Sequence, residues 1–156
     1  MLHRHARHRP APPRSGATMI ECAFILPLLL LLFAGLAIGA AGVFRYQEVA
    51  TLAREGARYG STHGYQFRKD AGLPMGTSKT WRADIYNNAI KPRIVGLDVS
   101  RLLVTCSWPD VINQPGRPDN WPGSKIDVTV RYEWLPEGFL LGPYYLESTS
   151  SMPITN

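Results

Sequence analysis

The chain has few cysteines, and the two that it has lie far apart. Only Cys22 and Cys106 occur in 156 residues, which is too few for a disulfide framework. Cys22 falls inside a long apolar run, whereas Cys106 falls in a segment predicted as a strand, so we expect no bond between them. We expect each to be a small buried apolar residue and not a reactive thiol.

The residue patterns that carry catalysis are missing as well. His63 is the only histidine after residue 8, and it lies in a glycine-flanked segment. The carboxylates are scattered, without a spacing that pairs two of them for acid–base work. No phosphate-binding glycine loop, CxxC or HExxH motif occurs. We therefore expect neither an enzyme nor a bound cofactor.

Net positive charge is confined to one end of the chain. The formal net charge is +5, but without residues 1–16 the count is 13 basic against 12 acidic residues, a net charge of +1. The arginines that account for the difference are Arg4, Arg7, Arg9 and Arg14. A basic face for nucleic acid is therefore not expected. His3, His5 and His8 share this tail, and although such a cluster can bind metal, the absence of nearby cysteines and carboxylates predicts a solvated tail without a metal.

The sequence does contain a long apolar run without charge. From residue 22 to residue 44 there are 23 consecutive uncharged residues, which rise about 34 Å in a helix, enough for a hydrocarbon core of about 30 Å. A secretory signal cut at residues 39–41, GAA, would need a shorter apolar core. A plain transmembrane anchor fits the length, and a membrane helix tolerates Pro27. Neither interpretation explains Glu21, a costly carboxylate at the edge of the run.

A third interpretation does explain Glu21. The stretch G-ATMIE-CAFILPLLLLLF resembles the class III signals of pilin-type proteins, in which cleavage precedes the apolar segment and a glutamate is the fifth residue of the mature chain. Gly16 would then be the last leader residue and Ala17 the new N-terminus. The α-ammonium formed at Ala17 would lie one helical turn from Glu21, and an ion pair with it, or with that of a neighbouring subunit, would offset the cost of the buried carboxylate. Gly35 and Gly39 supply a small-xxx-small pair suited to close helix contact.

The helical pattern continues past the apolar run. In FRYQEVATLAREGARYGS, residues 44–61, small and apolar residues recur at helical spacing and the charged residues lie off that stripe. The stripe comprises Val49, Leu52, Ala53, Gly56, Ala57 and Gly60. We predict one helix from about Ala17 to about Tyr59, with Arg45–Glu48 and Glu55–Arg58 pairs three residues apart.

The remaining residues predict a small mixed domain. Residues 61–80 read as a loop, and residues 81–95 as a short second helix that Ser78 or Thr80 could cap. Alternating apolar residues predict strands at 101–108, 126–134 and 144–154. The expected fold is therefore α+β and pilin-like: a long N-terminal transmembrane helix that continues into the outer domain, a second short helix and a three-stranded antiparallel sheet.

Two stretches resemble the TadE-like family of the tight-adherence (Flp pilus) assembly system: RSGATMIECAFILPLLLLLFAGL from residue 14, and LAREGARYGS at 52–61. The resemblance implies a minor pseudopilin of the bacterial inner membrane that is cut by a prepilin peptidase and works with other pseudopilins and pilus assembly proteins. It divides the chain into a basic cytoplasmic leader (1–16), a transmembrane and amphipathic helix (17–60) and an α+β extracytoplasmic domain (61–156).

Two other interpretations stay open at this point. The first is an uncleaved bitopic envelope protein whose outer domain binds a partner or a glycan through the proline-rich loop at 109–124. That loop contains Trp121, which we expect to pack against its own domain, the alternative being a contact residue. The second is a soluble exported domain released after residue 41.

Overall fold

The structure is a computed structural model that describes residues 15–109, 120–136 and 142–155. Most of the predicted leader, with its histidines, and most of the predicted loop at 109–124 lie outside these residues. The chain divides into two compact units, residues 1–39 and residues 40–156.

One helix carries the apolar run and the stripe that follows it. Helix α1 spans Ser15–Thr62, a length of 48 residues, with Pro27 inside it. The predicted bounds were residues 17 and 59, so the single long helix is confirmed to within three residues at each end. In the second unit, the stripe of small and apolar residues predicted from its spacing is buried, while Arg54 and Arg58 are exposed.

Two short helices follow α1. Helix α2 spans Tyr65–Asp70 and helix α3 spans Ser78–Ile85. Helix α2 lies in a segment that we predicted as a loop. The N-cap of α3 is Thr77, whose backbone N–H donates to Thr80 Oγ1 at 2.9 Å. The cap therefore lies one residue before Ser78, the nearer of the two residues proposed from the sequence.

The predicted second helix is shorter than expected. After α3 the chain continues through a π-helical turn at Tyr86–Ile90 and a 3-10 turn at Lys91–Arg93. Pro92 lies in this last turn, although Lys91 before it keeps α-helical dihedral angles; the backbone becomes extended at Ile94. A further 3-10 turn at Val99–Arg101 leads into the sheet.

The three predicted strands form one antiparallel sheet in the order β1-β2-β3. Strand β1 spans Leu102–Ser107, β2 spans Lys125–Trp134 and β3 spans Tyr144–Pro153. Along β2, buried and less buried residues alternate, as expected for a strand with one face on the core. The inward residues of β2 are Ile126, Val128, Val130 and Tyr132. The fold predicted from the sequence is confirmed.

The core lies between this sheet face, α3 and the second half of α1. Glycines in α1 allow the helix to approach the sheet closely. A Cβ at Gly56 would lie 3.0 Å from Val128 Cγ1, and a Cβ at Gly60 would overlap Ile126 Cδ1. The small stripe residues therefore serve to bring helix and sheet into contact.

Candidate functional site

The first part of the candidate site is the start of α1. Gly16 is the second residue of the helix, and a Cβ built on it meets no described atom within 4 Å. Glu21 is exposed and lies four residues after Ala17, which in a helix places the two positions on one face, one turn apart. The structure thus brings Gly16, Ala17 and Glu21 into two adjacent turns. Cleavage between Gly16 and Ala17, and pairing of Glu21 with an amine, stay predictions.

The second part is the apolar surface that follows. Between residues 19 and 36, 12 large apolar side chains are 45–78% exposed. The helix is long and apolar enough to cross a membrane, by length and composition. A continuous apolar surface of this kind marks a site of contact with lipid or with another apolar surface.

Gly35 and Gly39 lie one turn apart on this segment. No described atom comes within 4 Å of a Cβ built on either residue. Neither glycine is therefore explained by packing within the described part of the chain. Their spacing leaves a strip without side chains along one face, which is the geometry that lets a second helix approach closely.

Charged residues in the second half of α1 form ion pairs with each other and with Arg93. Glu55 lies 3.8 Å from Arg58 Nε and 3.5 Å from Arg93 Nη2. Arg45 and Glu48 are 3.4 Å apart. Both pairs predicted at a spacing of three residues are confirmed. Since all of these side chains are at least partly solvated, each pair contributes about 1 kcal/mol or less to stability.

The Arg45–Glu48 pair also holds a distant turn. Arg45 Nη1 donates to the carbonyl oxygen of Gly96 at 2.6 Å, and Glu48 Oε1 accepts from the backbone N–H of Val95 at 3.0 Å. Gly96 has φ +74°, a conformation that favours glycine. The pair therefore fixes the turn before β1 against α1.

A cavity of about 320 Å³ lies at the far end of the second unit, next to the end of α1. Its lining is mixed: it includes several aromatic side chains and an ion pair between Arg68 and Asp84. The aromatic and histidine side chains are Tyr59, His63, Phe67, Trp81 and Trp108. Trp121 lies beside this region, half-buried, with its ring centroid 5.1 Å from that of Tyr65. The expectation that Trp121 packs against its own domain is confirmed.

Buried polar atoms accompany the cavity. The indole nitrogens of Trp81 and Trp108 and both side-chain amide atoms of Asn120 are buried without a hydrogen-bond partner among the described residues. Buried polar groups normally have a partner, which can be an ordered water. These groups and the cavity are the features of the second unit that a small polar ligand would use.

Two ionisable groups of the second unit have shifted pKa values. Burial raises the pKa of the Cys106 thiol to about 11, because a thiolate is costly in an apolar core. Hydrogen bonds from Ser100 lower the pKa of Asp98. Both cysteines are free, as expected. Cys106 is buried, as expected, whereas the expectation of burial was wrong for Cys22, which is exposed on the apolar segment of α1.

Sequence reasoning missed the contacts that join distant residues. Arg68 donates to Asp84 and, through Nε and Nη2, to the carbonyl oxygen of Pro74 at 3.3 and 3.1 Å. A Cβ at Gly42 would lie 2.9 Å from Trp134 Cζ3. No local pattern signals either contact, because each joins residues that lie far apart in the sequence.

Comparison with known protein families gives one result. Residues 16–58 match the model of the TadE-like proteins, as the resemblance predicted. Neither the comparison with curated proteins nor that with solved structures returned a match. The match and the long apolar helix fit a membrane-anchored protein associated with the tight-adherence pilus.

Proposed function

Since residues 16–58 form a TadE-like segment, we propose that this chain is a minor pseudopilin that supports assembly of a type IVb, Flp-type pilus. The extracytoplasmic domain of about 95 residues favours a minor component over the abundant filament subunit, because the major subunits of this system are very short. The chain is proposed to sit in the bacterial inner membrane with its N-terminus in the cytoplasm.

One observation carries the proposal. The family match begins at Gly16, the residue after which a prepilin peptidase would cut. Glu21 stands at the fifth position after that bond, directly before the uncharged run that starts at residue 22. A transmembrane anchor alone requires neither the glycine nor the carboxylate at this spacing.

The mechanism follows from the helix. Removal of the leader leaves an α-ammonium at Ala17, one turn from Glu21. In a low-dielectric environment the carboxylate is stable only when it is paired or protonated, so its pairing with the amine of the same or a neighbouring chain sets the register between packed helices. Gly35 and Gly39 then allow those helices to approach. No catalytic role is proposed for the chain; its partners are the peptidase, other pseudopilins and the pilus assembly proteins.

The N-terminal sequence of the protein recovered from native membranes tests processing. We expect it to begin at Ala17. An intact leader would contradict the proposal, and a start at Gly42 would point to an exported domain. A Gly16→Leu variant should accumulate uncut, and Gly35→Leu, the same change in an equally open position of the helix, should be cut normally.

A Glu21→Gln variant tests pairing apart from cleavage. This change keeps the shape of the side chain and removes its charge. We expect the variant to be cut after Gly16 but to support few or no filaments, counted by electron microscopy. The control is Met19→Leu, a conservative change two residues away that leaves the carboxylate in place. Normal piliation with Glu21→Gln would refute the pairing role.

A second candidate function is supported by the cavity in the second unit. In that case the chain is an uncleaved bitopic envelope protein whose outer domain binds a small polar ligand or a glycan. Here Asn120→Ala, rather than Glu21→Gln, should abolish ligand binding, since Asn120 is buried beside the cavity and its side-chain amide has no hydrogen-bond partner among the described residues. An intact leader in membrane-derived protein, together with that result, would favour this alternative.

A further inference from the structure

The direction of α1 across the sheet decides which end of the sheet lies beside residues 42–44 of the helix. Gly42 contacts Trp134 at the end of β2, and Gly60 contacts Ile126 near its start. The helix rises roughly 27 Å between the two glycines, and the strand covers roughly 26 Å between their two partners. Helix and strand therefore run antiparallel along their whole contact, and the β2–β3 end of the sheet lies where the apolar run ends.

That end of the unit carries exposed apolar and aromatic side chains. Leu135, Tyr144 and Tyr145 are 40%, 45% and 56% exposed. Trp134 and Tyr144 are paired in register, with ring centroids 6.2 Å apart. We call Trp134, Leu135, Tyr144 and Tyr145 the sheet-end patch. Residues 137–141, which join β2 to β3, lie outside the described residues, and the inference does not rest on them.

The patch lies beside the end of the uncharged run. The uncharged run ends at Phe44, and its length of about 34 Å slightly exceeds the hydrocarbon core. Gly42, which Trp134 contacts, is therefore at the membrane–water boundary when the helix is inserted. Val43 and Phe44 are 62% and 66% exposed there, so the apolar surface of the helix continues towards the patch.

We propose that the sheet-end patch is a second membrane contact, in which the tryptophan and tyrosine rings lie at the lipid headgroup level beside the helix. Tryptophan and tyrosine are enriched at this depth because each ring is apolar with one polar group. The inference rests on insertion of α1 and on no other part of the proposed function. The inference assigns the sheet-end patch to contact with lipid. The alternative that the experiments test against is contact with a pilus protein.

Fluorescence quenching tests the position of Trp134. The full chain is reconstituted into liposomes of phosphatidylcholine brominated near the headgroup end of the acyl chains, and its emission is compared with that in unbrominated liposomes. Trp81 and Trp108 are buried, so Trp134 should give most of the quenching. The Trp134→Phe variant should lose at least half of it. The control, Trp121→Phe, alters a tryptophan at the other end of the unit and should keep it. Equal quenching in both variants overturns the inference.

A spin-label measurement tests the patch without changing an aromatic residue. In a Cys22→Ala background, Leu135→Cys and the control Ser151→Cys are labelled with a nitroxide, while buried Cys106 stays unlabelled. Ser151 is exposed at the opposite end of β3, paired with Asp127. Oxygen concentrates in lipid and a water-soluble nickel chelate stays in water, and both speed the relaxation of the nitroxide. The ratio of the oxygen effect to the nickel effect should therefore be several-fold higher at position 135 than at position 151.

The outcomes separate this inference from insertion itself. Protein that does not float with the liposomes refutes insertion of α1 and the inference together. Protein that floats but shows equal oxygen-to-nickel ratios at positions 135 and 151 refutes only the lipid contact, and leaves the patch for a protein partner.

Discussion

Replacing Gly60 with leucine would place a side chain at the point where α1 touches the sheet. Even the first carbon of that side chain would overlap Ile126 Cδ1, and it would lie 3.3 Å from Ile85 Cδ1. Ile126 and Ile85 are 1% and 3% exposed. Their ends could turn away from a single methyl group, but a whole leucine side chain would have to displace both isoleucines or extend into the cavity of about 320 Å³ that Gly60, Ile85 and Ile126 also line.

Two effects of the substitution oppose each other. Leucine is a better helix former than glycine by about 0.8 kcal/mol, although this gain shrinks at Gly60 because α1 ends two residues later. Overpacking a core costs about 1–3 kcal/mol, and a full side chain that must push Ile126 aside belongs in the upper half of that range, although the cavity beside Gly60 can take up part of it. We therefore expect the free energy of unfolding to fall by about 2 kcal/mol.

Urea unfolding of the full chain in mild detergent measures this change. All four tryptophans lie in the second unit, so their fluorescence reports its unfolding alone. With a slope of about 1.5 kcal/mol per molar urea, the midpoint should fall by about 1.3 M. Gly35→Leu, the same change where no described atom lies within 4 Å, should leave the midpoint unchanged. A Gly60→Leu midpoint at or above that of the wild type would refute the close helix–sheet contact.

Three further predictions concern the second unit. Gly96→Ala should lower the free energy of unfolding by about 1–2 kcal/mol, measured as above, because the residue has φ +74° and a Cβ would lie 2.9 Å from a guanidinium nitrogen of Arg45. Arg68→Met should lower it by about 2–3 kcal/mol, since the buried guanidinium pairs with partly exposed Asp84. The matched change at an exposed position, Lys69→Met, should alter it by less than 0.5 kcal/mol. Burial raises the pKa of Cys106 to about 11 from 9.0, so the folded state favours the protonated thiol. The free energy of unfolding should therefore fall as the pH rises from 9 to 11, by up to about 2–3 kcal/mol. A Cys106→Ala variant should lack this part of the decline.

The elements with strong periodicity could be predicted from the sequence. The stripe in α1 and the alternation in β2 each repeat over several turns or residue pairs, and each places its apolar residues on the core. Packing and local preference agree in these segments, so a local pattern is sufficient. The same holds for Gly16 and Glu21, whose relation depends only on their spacing along one helix.

The short elements could not be predicted, because distant contacts decide them. Helix α2 has six residues, too few for helix formation by propensity alone, and it is fixed by the bonds of Arg68 to Pro74 and Asp84. The second predicted helix was extended to Val95 because its apolar residues keep a helical spacing. Their backbone nevertheless passes through π and 3-10 turns before Ile94.

The sheet-end patch was also beyond local reasoning. Trp134 lies at the end of a strand that was predicted correctly, yet nothing near it in the sequence indicates that it meets Gly42. That contact depends on the antiparallel crossing of helix and strand, which is set by the whole core.

The last strand binds to the end of the first helix. Ser61 Oγ donates to the carbonyl oxygen of Pro153 at 2.6 Å, and its own carbonyl oxygen accepts from Thr155 at 2.9 Å. During synthesis the apolar stripe of α1 therefore stays partly exposed until more than 90 further residues have been made and β3 can pack. At usual translation rates this takes roughly 5–20 s. Because the middle of the stripe is Ala53, Gly56 and Ala57, it presents little apolar area to chaperones or neighbouring chains while the nascent domain is still open.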